Sequence, residues 1–254
     1  MSGAYYNEID PYCAQWLRNL IAAGHIAPGD VDERSIEDVR PDDLRGYTQC
    51  HFFAGIGAWS FALRLAGWAD TRPVWTGSCP CQPFSIAAVA HVRKGFDDER
   101  HLSPAWLRLI RECRPDTCFG EQVGSRDGQT WLDDLFDHLE ADDYACAAAI
   151  TSAAGAGADH IRRRIYFVAN SMRPGRSRHQ PIERFPLAEK AAFTQSRDAA
   201  ARLRALMAGD YSGLLSGDEP SIAVERCRAK GYGNAIDAQT AEIFIRAADE
   251  AMTT

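Results

Sequence analysis

The chain has 254 residues and a mass of 28.0 kDa, is 46% hydrophobic and 25% charged, and carries a formal net charge of −7. That length supports one large domain or two small ones with core enough to fold without staples, and no run of about 18 apolar residues is present to span a membrane. The start MSGAYYNEIDPY lacks a basic stretch followed by an apolar one, so no secretory signal is expected, and eight scattered cysteines without paired CxxC spacing favour reduced cytosolic thiols over disulfides or a zinc site.

Taken in chain order, Ala4–Ile9 reads as a short strand, and Pro11 opens a helix that Gly24 stops. Thr48–Phe53 is a buried strand broken by Gly55 and Gly57, and the apolar spacing of Trp59–Ala66 predicts a helix ending at Gly67. Val74–Thr76 begins a strand that runs into the proline-punctuated loop Ser78–Ser85. Helices are expected over Leu102–Cys113 and Thr130–Leu139, and strands over Thr117–Phe119, near Tyr144–Ile150 and over Ile165–Ala169. Two further helices are read at Leu187–Met207 and Ala238–Met252. This alternation predicts an α/β fold, a Rossmann-like doubly wound and mostly parallel sheet with helices on both faces. Ser171–Ala229, rich in Pro, Arg, Ser and Gly at both ends, reads as a small appended element. The expected division is a main domain over residues 1–170, the appended segment over 171–229, and a helix over 230–254 that completes the main domain.

Charge is unevenly placed. Between Met1 and Thr48 nine acids face four bases, whereas between His160 and Lys190 eight bases face two acids. An acidic chain with one basic stretch can still hold a polyanion locally, because screening cuts off distant repulsion within about 10 Å. A solvated surface is the plainer reading of a charge run taken alone.

Three short segments carry chemistry. Phe53-Ala54-Gly55-Ile56-Gly57 lies between a strand and a helix, where glycines let a backbone approach a ligand at a strand's carboxyl end; a tight connection is the alternative. In Ser78-Cys79-Pro80-Cys81-Gln82-Pro83-Phe84-Ser85 two prolines stiffen the backbone on either side of Cys81. A thiol so presented becomes a nucleophile where its thiolate is stabilised, and is otherwise a buried structural cysteine, the reading given to Cys79. In Ile161-Arg162-Arg163-Arg164-Ile165 the arginines enter a strand, with Arg162 and Arg164 on one side and Arg163 on the other, where their paired donors suit a carboxylate, a base edge or a phosphate.

FAGIG, PCQPFS, GEQV (Gly120–Val123), IRRR and GNAI (Gly233–Ile236) follow one another in this order, and in that combination the chain resembles the cytosine-5 DNA methyltransferases. The resemblance covers most of Thr48–Ala169 and the Gly233 region. It implies the S-adenosylmethionine-dependent methyltransferase fold and methyl transfer to C5 of cytosine in double-stranded DNA, in a cytoplasmic enzyme of the restriction-modification kind that needs no metal and no membrane. Cys81 would add to C6 of a cytosine turned out of its duplex, giving the poorly nucleophilic C5 enamine character. Glu121 would hold or protonate N3, Arg164 would bind the polar edge of the base, and Arg162 would support Glu121 and the thiolate loop. Phe53, Ala54, Gly55, Ile56 and Gly57 would form the cofactor turn, with Leu102 lining the pocket and Asn234 closing it. Gln82, Ser85 and Arg163, with Arg93 and Lys94 of the charged segment after the loop, and Arg173, Arg176 and Arg178 further on, would meet substrate or DNA.

The resemblance also implies a changed order. In the family a strand with a ribose-binding acid and a GD turn at the adenine lie between FAGIG and PCQPFS, but Ala58–Gly77 is too short for two more β–α units. Tyr6-Asn7-Glu8-Ile9-Asp10 and Gly29-Asp30-Val31 stand upstream instead, so a circular permutation is expected. Glu8 would then accept from the ribose hydroxyls, Ile9 would pack on adenine and Asp30 would accept from its amino group. Gln122, His160 and Asp237-Ala238 depart from the family pattern. The space for a target-recognition region, Ser171–Gly233, is much reduced, which suggests relaxed specificity or a specificity partner protein. The alternatives are a related transferase acting on RNA or free nucleotide, and a catalytically silent DNA-binding relative. The adenine and exocyclic-amine methyltransferases use an Asp/Asn-Pro-Pro-aromatic loop, and none occurs in the chain.

Overall fold

A computed structural model describes residues 3–80, 102–152, 163–171 and 236–253, and the statements below refer to these residues. Its elements are β1 (Ala4–Asn7), α1 (Pro11–Ala22), β2 (Gly29–Asp32), β3 (Gln49–Phe52), α2 (Ala58–Leu65), β4 (Val74–Gly77), α3 (Ser103–Cys113), β5 (Thr117–Val123), α4 (Arg126–Ala141), β6 (Tyr144–Ser152), β7 (Arg163–Ser171) and α5 (Ala238–Thr253). Two 3-10 turns, Ile36–Asp38 and Pro41–Leu44, precede β3. The helix expected over Leu187–Met207 lies outside the described residues.

The local causes are visible at α1. Asp10 caps it by accepting from the amides of Tyr12 (3.0 Å) and Cys13 (3.3 Å), and Pro11 supplies a preset φ at the first turn. The helix stops where Gly24 takes φ 71° and the His25 amide returns to the Leu20 carbonyl. Cys13, Ala14, Leu17 and Leu20 form its buried stripe.

The seven strands are ordered β2-β1-β3-β4-β5-β7-β6. Neighbours from β2 through β5 are parallel, and β7 runs antiparallel to both β5 and β6. The fold is therefore the mixed, mostly parallel α/β arrangement expected from the alternation. The GEQV segment, expected to follow a strand ending at Phe119, instead lies within β5, because its ladder with β7 continues to Val123. Gly29–Val31, expected as a strand ahead of FAGIG, lies in β2: a Cβ at Gly29 would sit 1.8 Å from the Ala4 carbonyl oxygen, so only glycine permits this pairing.

Helices cover both faces. On one, α1 buries Leu17 and Leu20 against Tyr6, Ile26 and Ala54, while α2 and α5 enclose Trp59, Phe119, Tyr166, Val168 and Phe244. On the other, α3, α4 and the 3-10 turns pack Trp106, Ile110, Trp131, Leu135 and Leu44 against Phe52, Trp75, Cys118 and Phe167. Fully burying a side chain such as Leu17 or Ile110 stabilises the fold by about 1.5–3 kcal/mol relative to exposure. Gly77 and Gly120 are paired in the middle of this second face. A Cβ on Gly77 would meet the Trp106 ring at 2.7 Å and one on Gly120 the Phe167 ring at 2.0 Å, so the two glycines form the trough that these rings fill. Helix α5 is fastened by Arg72, whose guanidinium lies 3.4 Å from the Trp68 ring centroid and pairs with both carboxylate oxygens of Asp249, at 2.5 and 2.9 Å.

Candidate active site

Because β1, β3, β4 and β5 are parallel, their carboxyl ends share one edge of the sheet, the position at which open α/β sheets place ligands. That edge gathers Glu8 and Ile9 after β1, Phe53–Gly57 after β3, Ser78–Pro80 after β4, and Glu121 near the end of β5. The antiparallel direction of β7 brings its amino end to the same edge, and this is how Arg164 reaches the group.

The glycine turn is held in an unusual backbone conformation. Phe53, Gly55 and Gly57 take φ of 51°, 54° and 81°, left-handed values that are sparsely populated by non-glycine residues and that cluster at functional sites. No atom lies within 4 Å of where a Cβ of Gly55 would stand, so the backbone there is open to close approach, whereas Gly57 is closed in by Leu17 and Ile26. Glu8 ties the turn to β1: Oε2 accepts from the Gly55 amide at 2.7 Å and Oε1 from the Asp10 amide at 2.8 Å. The Ala54 amide donates to the Asn7 carbonyl at 3.0 Å. Ile9 beside it is 64% exposed, a large apolar side chain facing solvent at the open edge.

Glu121 is buried, and Arg164 places its guanidinium Nε 2.5 Å from Oε1 of that carboxylate. The pair is diagonal across the β5–β7 ladder, where Glu121 stands opposite Tyr166 and Val123 opposite Arg164. A buried carboxylate is costly unless a cation pairs with it, and the Arg164 guanidinium stands beside this one. Gln122 points to the opposite face and turns its Oε1 to its own neighbour, the Val123 amide, at 2.9 Å.

Asp30 stands apart from the other residues expected at the cofactor. It is level with Tyr5, whereas the Glu8 amide bonds the carbonyl of Asp32, so Asp30 sits lower on the sheet than Glu8. Its carboxylate accepts from the Tyr47 hydroxyl at 2.8 Å, which together with burial raises the Tyr47 pKa to about 12. Asp30 lines an open groove of about 400 Å³ with Tyr5, Asp32, Arg34, Asp43 and Tyr47. Burial raises the Asp32 carboxyl, but hydrogen bonds from Arg34 and Tyr5 outweigh it and hold the group below the ordinary carboxylate range. Leu102 is half-buried against the core at the start of α3.

Trp59 and Ser78, to which the motifs assign no role, join the site: the Trp59 indole donates to the Ser78 hydroxyl at 2.9 Å. Cys79, expected as a buried structural cysteine, is buried in the core of the other face, its thiol pKa raised by desolvation. The signal for Trp59 was a donor-bearing aromatic two residues after the last glycine of the turn. Cys81, Gln82, Ser85, Arg93, Lys94, Arg162, Arg173, Arg176, Arg178, His160 and Asn234 lie outside the described residues, as does the side chain of Arg163. Among the described residues no group of three or more His, Cys, Asp or Glu side chains could hold a metal ion, and no helix is long and apolar enough to cross a membrane.

Solved structures share this fold. A DNMT2 mutant from Spodoptera frugiperda matches 95% of the chain and 90% of its own length at 12% identity and a TM-score of 0.56. The Dnmt2 methyltransferase of S. pombe matches 99% of each chain, at 12% identity and a TM-score of 0.52. A prophage-encoded E. coli protein described as a DNA modification methyltransferase gives 18% identity and a TM-score of 0.43, over 66% of the chain but only 40% of that relative's length. At 12% identity the likeness to the first two is one of fold. No curated protein matches the sequence. The family model for the C-5 cytosine-specific DNA methylases matches residues 68–210, more than half of the chain. The chain thus belongs to the C-5 cytosine-specific DNA methylase family.

Proposed function

We propose that the protein transfers a methyl group from S-adenosylmethionine to C5 of cytosine in DNA, through a transient bond between Cys81 and C6. The observation that carries this reading is the buried Glu121–Arg164 pair, set at the same sheet edge as the glycine turn and the exit of β4 toward Cys81. The residues fit the cofactor: the open backbone at Gly55 suits close approach of a ligand, and Glu8 is an anionic acceptor beside it. When bound, S-adenosylmethionine supplies the electrophilic methyl group.

The remaining roles belong to side chains of this chain. The Cys81 thiolate adds to C6, and its electron pair raises the nucleophilicity of C5. Glu121 holds or protonates N3 to offset the charge that this addition pushes into the ring, and Arg164 keeps Glu121 in place while reaching the polar edge of the base. After C5 is methylated, loss of the C5 proton and departure of the thiolate restore the aromatic ring. Arg162 supports the Glu121 side of the site, and Asn234 closes the cofactor pocket. Gln82 and Ser85 face the substrate, and Arg93, Lys94, Arg163, Arg173, Arg176 and Arg178 meet the DNA backbone.

The chain order supports a circular permutation. The unit bearing Glu8, β1-α1-β2, comes first in sequence yet lies outside β3 in the sheet, and α2 leads directly from the glycine turn to β4. In this reading Asp30 would accept from the adenine amino group. The short stretch between β7 and Asn234 leaves little to read bases, so specificity is relaxed or borrowed from a partner protein.

The test is a mechanism-based trap. With S-adenosylmethionine present, the protein should form a stable covalent adduct on DNA containing 5-fluorocytosine, and Cys81→Ser should abolish it. Binding without adduct would support the silent relative, and preferential capture of an RNA competitor would move the substrate to RNA.

A further inference from the structure

Trp59 occupies the second position of α2, immediately behind the glycine turn, and is 3% exposed. Its ring meets the two strands that carry Glu121 and Arg164. It stacks on Phe119 of β5, centroids 6.2 Å apart with planes at 22°, and meets Tyr166 of β7 edge-on at 6.0 Å. Phe119 lies two residues before Glu121 on the same face, and Tyr166 is the cross-strand partner of Glu121 and two residues beyond Arg164. A phenylalanine could fill such a pocket. Only tryptophan adds an N–H long enough to reach Ser78 on the neighbouring strand exit, where it donates to Oγ at 2.9 Å.

Ser78 is the first residue after β4 and precedes Cys81 by three positions. Its side chain is held toward the α2 face, and Cys79 is buried in the core of the opposite face. The segment leaving β4 is therefore pinned on both faces of the sheet as far as Pro80, whose φ is fixed by its ring and which precedes Cys81 in sequence.

We infer that Trp59, acting through the Ser78 hydroxyl, is a positioning residue for the nucleophile, coupling the direction of the Cys81 loop to the glycine turn and to the Glu121–Arg164 strands. The inference rests on the proposed methyl transfer and adds to it the device that aims the sulfur. Without the hydrogen bond the exit of β4 is held on one face only, by Cys79, and a misdirection of about 1 Å is enough to slow a bond-forming step severely.

The experiment measures the single-turnover rate of covalent adduct formation on 5-fluorocytosine DNA, alongside S-adenosylmethionine affinity. Ser78→Ala should slow adduct formation about tenfold, as expected for the loss of one hydrogen bond, with cofactor Kd within about twofold of the parent. Ser78→Thr, which keeps the hydroxyl, should restore the rate. Trp59→Phe should resemble Ser78→Ala, and the double variant should be no slower than either single one. Ser78→Ala at the parent rate, multiplicative effects in the double variant, or a parallel loss of cofactor affinity would each overturn the inference. If Trp59→Phe fails to fold, the Ser78→Ala and Ser78→Thr pair decides alone. A parent protein that forms no adduct removes the proposed reaction and this inference with it, whereas an active parent with an indifferent Ser78→Ala removes the inference only.

Discussion

His51 offers a sharp test of how the sheet is built. It lies in the middle of β3, 1% exposed, stacked on Tyr6 with ring centroids 4.9 Å apart, and its Nδ1 pairs with the Thr76 hydroxyl at 2.9 Å. Nε2 is buried without a partner. Desolvation dominates, and it lowers the imidazole pKa from 6.5 to about 3. Between these values the unfolded chain binds a proton that the folded protein refuses, so this contribution to stability is complete above about pH 6.5 and is lost as pH falls toward 3. From pH 7 to pH 5 the loss amounts to about 2 kcal/mol. His51→Gln retains an amide for Thr76 but cannot take up the proton. Urea unfolding at both pH values should therefore show the parent losing about 2 kcal/mol more than the variant. Parallel losses would refute the argument, and so would an imidazole that titrates near 6.5 in the folded protein.

Two other outcomes test separate parts of the structure. Gly120→Ala drives a methyl group to within 2.0 Å of the Phe167 ring, which Trp106, Trp131 and Phe136 hold in place; overpacking of this kind destabilises by about 1–3 kcal/mol, so thermal unfolding should fall by about 5 °C, and an unchanged midpoint would contradict the trough. Glu8→Ala leaves the Gly55 amide without its acceptor and removes the proposed ribose partner, so calorimetry should show S-adenosylmethionine affinity weakened at least about tenfold, and an unaltered Kd would detach Glu8 from the cofactor.

The elements were legible where one physical signal acted alone. Pro11 and Gly24 marked both ends of α1, and the apolar runs of β3 and β4 marked buried strands. The length of β5 was hidden because Glu121 and Gln122 are polar residues inside a covered strand, so the pattern broke where the site begins. The direction of β7 is not written in its own apolar residues, which suit either sense. The signal lay in the connection, since residues 153–162 are fewer than the dozen or more that a parallel crossover requires. The motifs placed Glu8, Phe53–Gly57, Glu121 and Arg164 at one edge, but the height of Asp30 on the sheet depends on the β1–β2 register, which a GD pair does not specify. The Trp59–Ser78 bond joins residues 19 apart through an indole N–H, and neither side chain announces a partner in one dimension.

The clasp between Arg72 and Asp249 spans 177 positions along the chain. While the protein is being synthesised, the apolar surface formed by Trp59, Phe119 and Tyr166 must wait uncovered until the residues of α5 leave the ribosome. A nascent chain that has already built its glycine turn still lacks the wall behind it, so maturation of the candidate site's edge is timed by the arrival of a helix that holds none of the described site residues.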